Sequence, residues 1–373
     1  MKIVWMLPRS GYVTDPRSVT LWGTICWGIR YLFGNGELET FLKKYIDGMP
    51  DFVISSAFPY KKWKGERLPF FPNLLRVAPE IDPNDDVDVA LKKYRLGKKL
   101  SKIEWLSKSQ FEKMLRGELS EDDLLRTLLD EYEKKKEHSE QRKRRNPNFK
   151  GDYRPKNEEV LKNTPPERHD HSMTHNTIDR LRGGTLSLPD AAGELSGQLF
   201  HANDTWWANP DDDKAETGLF FLVEGSDEQI ENLLAPVLRF LEHWGIGADR
   251  TAGKGFFKFE IEDFSIAEPT DSNALVNLSL FIPRDENQLV EIENAARSMP
   301  YQLENRECMG WSATGGFEKN PALFFAEGSV FPKLSGGAVR WRGRLHQNRE
   351  LPNGQKVYDN GFGFMLNLNW KKP

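Results

Sequence analysis

Cysteine is nearly absent, with only Cys26 and Cys308 in 373 residues. Two thiols exclude a disulfide framework and a cysteine-based zinc site, and they fit core residues of a chain kept in a reducing cytoplasm. Long hydrophobic runs are missing too, since no stretch approaches the roughly 20 apolar residues of a membrane-spanning helix. The opening residues Met1-Lys2-Ile3-Val4-Trp5-Met6-Leu7-Pro8-Arg9 are too short and wrongly flanked for a signal peptide. The chain is therefore expected to be cytoplasmic, with no membrane partner. An excess of positive charge is also lacking: 52 Lys and Arg stand against 56 Asp and Glu, for a net charge of -4. That balance excludes a globally basic nucleic-acid binder and leaves local basic patches as the route to RNA or DNA. What is present is a 38% hydrophobic fraction, enough to bury the core of one large domain or two, and eleven tryptophans available for stacking.

Four glycines, an arginine and a lysine crowd into Gly245-Ile246-Gly247-Ala248-Asp249-Arg250-Thr251-Ala252-Gly253-Lys254-Gly255. Glycine lets the backbone take positive φ and bring N–H groups close to an anion, while Arg250 and Lys254 supply charge for phosphate oxygens. A nucleotide-binding P-loop needs four residues between its first glycine and the Gly-Lys pair, followed by Ser or Thr; here five residues separate Gly247 from Gly253, and Gly255 follows Lys254. The order of elements is reversed as well. Upstream, Ile230, Leu233, Leu234, Val237, Leu238 and Leu241 mark one face of a helix over Ser226 to Trp244, with Ser226 and Gln229 as a capping box. Downstream, Phe257 to Phe264 alternates apolar and charged residues as a strand does. The alternative is a plain αβ connection, for which one or two glycines suffice.

Along the chain, Lys2 to Leu7 reads as a strand and Ser18 to Phe33 as a helix capped by Ser18. Trp22, Ile25, Cys26, Ile29, Leu32 and Phe33 form the face expected to pack on a sheet. Thr20, Thr24, Trp27 and Tyr31, with Gly23 and Gly28, lie opposite; small residues and aromatics there point to close packing by another subunit, by nucleic acid or by the chain itself. Asp51 to Phe58 reads as a strand. From Asp82 to about Glu167 the chain is crowded with charge, with a helix expected around Glu121 to Lys136 and a basic run Arg142-Lys143-Arg144-Arg145. Such a segment is expected to be partly disordered, either a solvated insertion or a strip lying along an RNA backbone. Order returns at His175, Gly193 to Trp207 reads as a strand with a turn, and Gly218 to Val223 as a buried strand. This succession is a βαββαβ plan, ferredoxin-like or RRM-like, with a large insertion. A second pass starts at the strand Ala274 to Phe281, continues through a helix near Glu286 to Arg297 and strands near Tyr301, Ala322 to Phe325 and Gly337 to Trp341, and ends in Gly361 to Leu368. The expected class is α+β: tandem ferredoxin-like domains over 1–270, with a charged insertion at about 82–174, and a degenerate copy over 271–373.

Three motifs carry a resemblance: Ser18-Val19-Thr20-Leu21-Trp22-Gly23-Thr24-Ile25-Cys26-Trp27, Asn176-Thr177-Ile178-Asp179-Arg180, and Gly245-Ile246-Gly247-Ala248-Asp249-Arg250-Thr251. With the tandem plan they resemble the RAMP superfamily of CRISPR-associated proteins, and within it the fourth-Csm-subunit family, Cas-five-type, of type III-A effector complexes. The charged stretch from Asp82 to about Glu167 departs from that compact pattern. The resemblance implies a subunit that binds the five-prime handle of the CRISPR RNA, docks the large Cas-ten-type subunit and starts the filament of Cas-seven-type backbone subunits. Transferred position by position, it implies handle phosphates on Gly245, Gly247, Arg250, Gly253, Lys254 and Gly255, with Ser18, Thr20 and Arg180 near the same groove. Ser18 is also explained as a helix cap and Arg180 as a partner of Asp179.

Some relatives of this superfamily cut RNA without metal, using a histidine. His138, His169, His171, His175, His201, His243 and His346 are available, the first four in or beside the charged segment. General acid–base work needs an imidazole held within hydrogen-bond reach of the reacting oxygen, which this spacing does not provide. His169-Asp170-His171 with His175 has metal-like spacing, yet it is neither an HExxH helix nor a cysteine-bearing site. The expectation is a non-catalytic RNA binder without cofactor or metal. The alternatives are a metal-independent CRISPR RNA-processing endoribonuclease and a protein-only adaptor.

Overall fold

A computed structural model describes residues 1–74, 103–119, 162–179, 181–189, 193–210, 212, 214–295, 298–306, 309–312, 315–333 and 341–371. The helix expected at Glu121 to Lys136, the basic run Arg142 to Arg145, His138, Arg180, Cys308 and most of Gly337 to Trp341 lie outside these residues.

Strand β1 (Lys2–Pro8) buries Ile3, Val4, Trp5 and Met6, as a continuous apolar run dictates for a strand covered on both faces. Helix α1 spans Ser18–Phe33. Helix α2 (Asn35–Ile46) follows after Gly34 and buries only Phe41 and Tyr45, which is why its pattern did not stand out in the sequence. Then come β2 (Phe52–Ile54), β3 (Phe58–Trp63) and β4 (Glu66–Pro72). The β3–β4 hairpin turns on Lys64 and Gly65, both at positive φ, the geometry a two-residue hairpin loop requires. Next, β5 (Trp105–Ser107) pairs with β4, and α3 (Lys108–Leu115) begins with a capping box between Ser107 and Gln110. Because Leu106, Phe111 and Leu115 are fully buried, residues 103–119 belong to the folded unit, a correction to the solvated insertion expected there. Averaged composition hid this short apolar stretch.

A long hairpin arm follows, built from β6 (Glu167–Asn176), β7 (Ile178–Asp179), β8 (Gly184–Thr185), β9 (Ser187–Pro189), β10 (Leu195–Gly197) and β11 (Leu199–Ala208). β6 and β11 pair antiparallel along their whole length, from Glu167↔Ala208 to Asn176↔Leu199. The ordered strand starts at Glu167, earlier than the expected His175. Most of β6 is exposed, so no apolar alternation announces it.

Strand β12 (Thr217–Gly225) leads to Ser226, whose hydroxyl accepts the Gln229 N–H at 3.4 Å as the expected cap. After one helical turn, Ile230–Leu234 widens into a π-helical turn before α4 (Ala235–Trp244). Pro236 lies just beyond it and has no N–H for the Asn232 carbonyl, a known cause of such a departure. Strand β13 (Phe257–Asp263) closes the sheet, whose order is β13-β1-β12-β3-β4-β5, with β2 also on β12. All these pairings are antiparallel. With helices after β1 and between β12 and β13, this is how a βαββαβ unit orders its strands.

The second half contains β14 (Ala274–Asn277), α5 (Glu286–Ala295), β15 (Leu303–Arg306), β16 (Met309–Ser312), β17 (Gly315–Glu318), β18 (Ala322–Phe325), β19 (Val330–Pro332), β20 (Leu345–Glu350), β21 (Lys356–Asn360) and β22 (Met365–Leu368). β19, β14 and β22 form one antiparallel sheet, and the other strands pair in twos. The α+β class stands, but the described residues do not complete a second βαββαβ unit.

One hydrophobic cluster runs from Val4, Ile25, Phe220 and Leu238 into Val276, Leu278, Phe362 and Phe364 of the second half. Each such side chain, fully buried, stabilises the fold by about 1.5–3 kcal/mol. Ion pairing reinforces the junction. Arg17 donates through Nη1 to both Glu304 oxygens at 2.5 and 2.6 Å, and its Nε donates to Glu327 at 3.0 Å, with Nη2 on the other Glu327 oxygen. The Ser56 hydroxyl also donates to Glu327. Burial pushes the Glu327 carboxyl up, but the hydrogen bonds and charge of Arg17, helped by Ser56, outweigh it and hold the group below its ordinary value. Ser18 belongs to this junction. It is fully buried, its N–H donates to Ser56 Oγ and its own Oγ accepts the Leu280 N–H, both at 2.9 Å. The expected cap is thereby corrected: Arg17 occupies the N-cap position without a side-chain capping bond, and the buried Ser18 hydroxyl joins the two halves.

Candidate RNA interface

Between α4 and β13 the chain makes a closed, crossing loop. Gly245, Gly247, Asp249, Gly253 and Gly255 all lie at positive φ, and Arg250–Ala252 forms one 3-10 turn. The loop closes on itself where Ile246 N–H donates to the Gly255 carbonyl at 2.8 Å. A Cβ on Gly255 would sit 2.0 Å from the Ile246 carbonyl oxygen, so only glycine fits the crossing. The β1–α1 connection packs alongside: Gly255 N–H donates to the Gly11 carbonyl at 2.8 Å, Phe256 N–H to Ser10 Oγ at 3.0 Å, and Ala248 N–H to Thr14 Oγ1 at 3.1 Å. Part of the loop's N–H supply thus goes to building the loop, which leaves a rigid frame around Arg250.

The base of the arm meets the same place. Tyr12 forms an isolated antiparallel bridge with Thr205, and its hydroxyl accepts the Trp207 indole N–H at 2.8 Å. Burial raises the Tyr12 pKa, so this phenol stays neutral. Arg168 reaches Asp15 at 2.9 Å and Asp170 at 3.1 Å. Asp204, buried on β11, pairs with Lys254, and His171 Nδ1 lies 3.6 Å from its other oxygen. Burial pushes the Asp204 carboxyl up, while the hydrogen bond and charge of Lys254 draw it down and prevail. Lys254 was expected among the phosphate ligands; the structure spends its charge on Asp204, so it braces the loop against the arm.

Arg250 meets different surroundings. Its guanidinium lies over the Trp244 ring, 5.1 Å from the centroid, and among the described residues no carboxylate pairs with it. Burial lowers its pKa, yet a guanidinium starts high enough to remain charged. Trp244 continues a pile of rings across the two helices: Tyr31 at 4.9 Å, then Trp27 at 5.6 Å, with Phe240 flanking Tyr31 and Trp244. The second face of α1 is therefore packed partly by the chain itself. A Cβ on Gly28 would lie 2.6 Å from Val237 Cγ1, so glycine sets the approach of α4.

Of the sequence-predicted positions, Gly245, Gly247, Arg250, Gly253, Lys254 and Gly255 come together, and half-buried Thr20 lies on α1 with its carbonyl accepting the Thr24 hydroxyl at 2.8 Å. Ser18 is separated from them by burial, and Arg180 is outside the described residues. Sequence reasoning missed the β1–α1 connection, Arg168 and Asp204; the one available signal was the Gly11-Tyr12 pair shortly after a strand. His169, His171 and His201 are exposed on the arm and His243 is exposed on α4.

No protein-family model matches the sequence. The Csm4 protein of the Thermococcus onnurineus (strain NA1) CRISPR system is 24% identical over 365 residues, 98% of this chain and 96% of that protein. A chain in the crystal structure of a Csm3–Csm4 subcomplex of the type III-A CRISPR-Cas interference complex aligns with a TM-score of 0.57 at 17% identity, over 99% of this chain and 100% of that one. The chain is Csm4-like. A chain in the Csm1–Csm4 cassette bound to cA4 aligns comparably, with a TM-score of 0.55 and 19% identity over 100% of this Csm4-like chain and 99% of that one. The likeness in fold is end to end and includes both halves. Among the described residues of the Csm4-like chain, no helix is long and apolar enough to cross a membrane.

Proposed function

We propose that this chain is a non-catalytic RNA-binding subunit of a type III CRISPR interference complex in the cytoplasm, one that caps the five-prime handle of the CRISPR RNA. In the same reading it docks the large Cas-ten-type subunit and the first Cas-seven-type backbone subunit, and its second half is a pared-down ferredoxin-like copy of the first. The observation that carries the reading is Arg250: a half-buried cation without a carboxylate partner among the described residues, held on a glycine frame where the β1–α1 connection and the arm converge. A cation so placed suits a phosphate, and the backbone of Gly245, Gly247, Gly253 and Gly255 lets an RNA strand approach closely. Lys254 contributes by fixing the loop to Asp204, and Thr20 lines the flank. Docking is supported by the Csm4 relatives, which are assembled with Csm1 in one structure and Csm3 in another. It is also supported by large exposed apolar side chains, Ile178, Leu181, Leu195 and Leu199 on the arm and Leu303, Met309 and Leu323 in the second half.

The test is to co-express the chain with its neighbouring operon proteins, purify the assembly through a tag on this subunit, and sequence the bound RNA. A ladder of RNAs sharing one repeat-derived five-prime end, weakened in the Arg250→Ala, Lys254→Ala double variant, is the expected result. Recovery of partners without RNA, or RNA retained unchanged in the variant, replaces the reading with a protein-only adaptor. Cleavage of precursor RNA that disappears with a single histidine substitution replaces it with an endoribonuclease.

A further inference from the structure

Trp27 and Tyr31 are four residues apart on α1, as are Phe240 and Trp244 on α4, so each pair shares a helix face. The close crossing at Gly28 sets the two faces against each other. The result is a continuous stack in which Arg30 lies 5.0 Å over Trp27, Trp27 and Tyr31 are stacked at 5.6 Å, Tyr31 meets Trp244 at 4.9 Å, and Arg250 covers Trp244 at 5.1 Å. Both ends of the stack are guanidinium groups. Arg30 donates to neutral Asn35 Oδ1 at 3.0 Å, and neither arginine has a carboxylate partner among the described residues. On the same unit Arg9, Arg17, Arg67 and Arg168 all pair with carboxylates. Arg239 of α4 also lacks a carboxylate among the described residues but lies over no ring there; what sets this face apart is two such arginines on one aromatic array. Tyr31, at its centre, is 48% exposed.

We infer that this stack is a second RNA-contacting element, in which Arg30 joins Arg250 in taking phosphates of a single strand and the exposed rim of the Tyr31 ring meets an unstacked base. The inference rests on the reading that this chain binds RNA and extends that site from the glycine loop along α1. Stacked on a ring, a guanidinium keeps its N–H edge free for phosphate, and the ring holds it without the competing carboxylate a salt bridge would impose. A ligand that is anionic and also presents planar groups matches both features, and single-stranded nucleic acid has both. An acidic protein surface matches only the charge.

The experiment measures binding of a fluorescent single-stranded RNA carrying the repeat-derived handle to the full chain at several salt concentrations. Wild type is compared with Arg30→Ala, Arg30→Lys and Tyr31→Ala, and thermal unfolding is recorded for each. Tyr31→Ala is expected to weaken binding roughly five-fold, the low end of the range for a base–aromatic contact, because only the rim of the ring is open. Arg30→Ala is expected to lower the log–log salt slope by about 0.7, the value for one phosphate on a single strand. Arg30→Lys should restore that slope but only part of the affinity, because an ammonium cannot stack as a plane. Arg30 lies near a helix end and its removal leaves the core intact, so it decides the matter if Tyr31→Ala unfolds. Wild-type affinity and slope in Arg30→Ala overturn the inference; if the Arg250→Ala, Lys254→Ala variant still loses RNA, the handle reading survives alone. Loss of partner subunits from a tagged Tyr31→Ala complex, with RNA affinity unchanged, assigns the face to protein and also overturns it. Failure of wild type to bind any single-stranded RNA removes both.

Discussion

Arg17 and Arg250 bring the same guanidinium into two partly buried places and meet opposite surroundings. Around Arg17, Glu304 and Glu327 supply two carboxylates, the Ser56 hydroxyl completes the network, and both halves of the chain contribute. Around Arg250 there is an indole ring and, among the described residues, no carboxylate partner. The junction is electrostatically closed and the loop is electrostatically open. The identity of a residue does not distinguish a structural arginine from one available to a ligand; the count of nearby carboxylates does.

The contrast can be broken most forcefully at the closed end. Arg17→Ala strands two glutamates at a largely buried site and is expected to cost about 3–5 kcal/mol, measured by urea unfolding. Gly255→Ala should follow at about 2 kcal/mol or more, since it adds left-handed strain to a clash with the Ile246 carbonyl; thermal unfolding reads the loss, and RNA binding should fall with it. Acid sharpens the comparison further. The folded-state pKa of Glu327 is depressed, so its contribution is fully present above the ordinary glutamate value of 4.5 and is lost as pH falls through the lower folded value. Urea unfolding between neutral pH and pH 3 should show this acid-side loss in wild type and a smaller one in Arg17→Ala. The gentlest effect is expected at the open end: Arg250→Ala should change stability by less than about 1 kcal/mol while lowering the salt slope of RNA binding by about 0.7. A large stability loss in that variant would mean that the loop arginine is structural after all.

Much of this architecture was legible because local signals and burial agree. The α1 limits, Ser18 and Phe33, follow from an apolar face at helical spacing, and β1 and β12 from uninterrupted apolar runs. The glycine loop announced itself by composition. Two kinds of feature stayed hidden. Elements with little burial, such as α2 and the arm strand β6, have no pattern that a core imposes. Long-range pairings, such as Lys254 with Asp204 and Arg17 with Glu327, join residues whose separation along the chain carries no trace of contact. Hence Lys254 read as a free cation and Ser18 as a simple cap.

The π-helical turn at Ile230–Leu234 has a consequence for phase. In that turn Ala235 N–H bonds the Ile230 carbonyl, one residue farther back than in an α-helix, so the turn accommodates one extra residue ahead of α4. One residue is worth about 100° of rotation in an α-helix. The wide turn therefore absorbs that residue while keeping Phe240 and Trp244 aimed at α1, and a single-residue deletion there would close it to an ordinary helical turn with both rings still facing α1. An added residue beyond that turn, between Pro236 and Phe240, has no such slack to enter and would turn both rings away from α1.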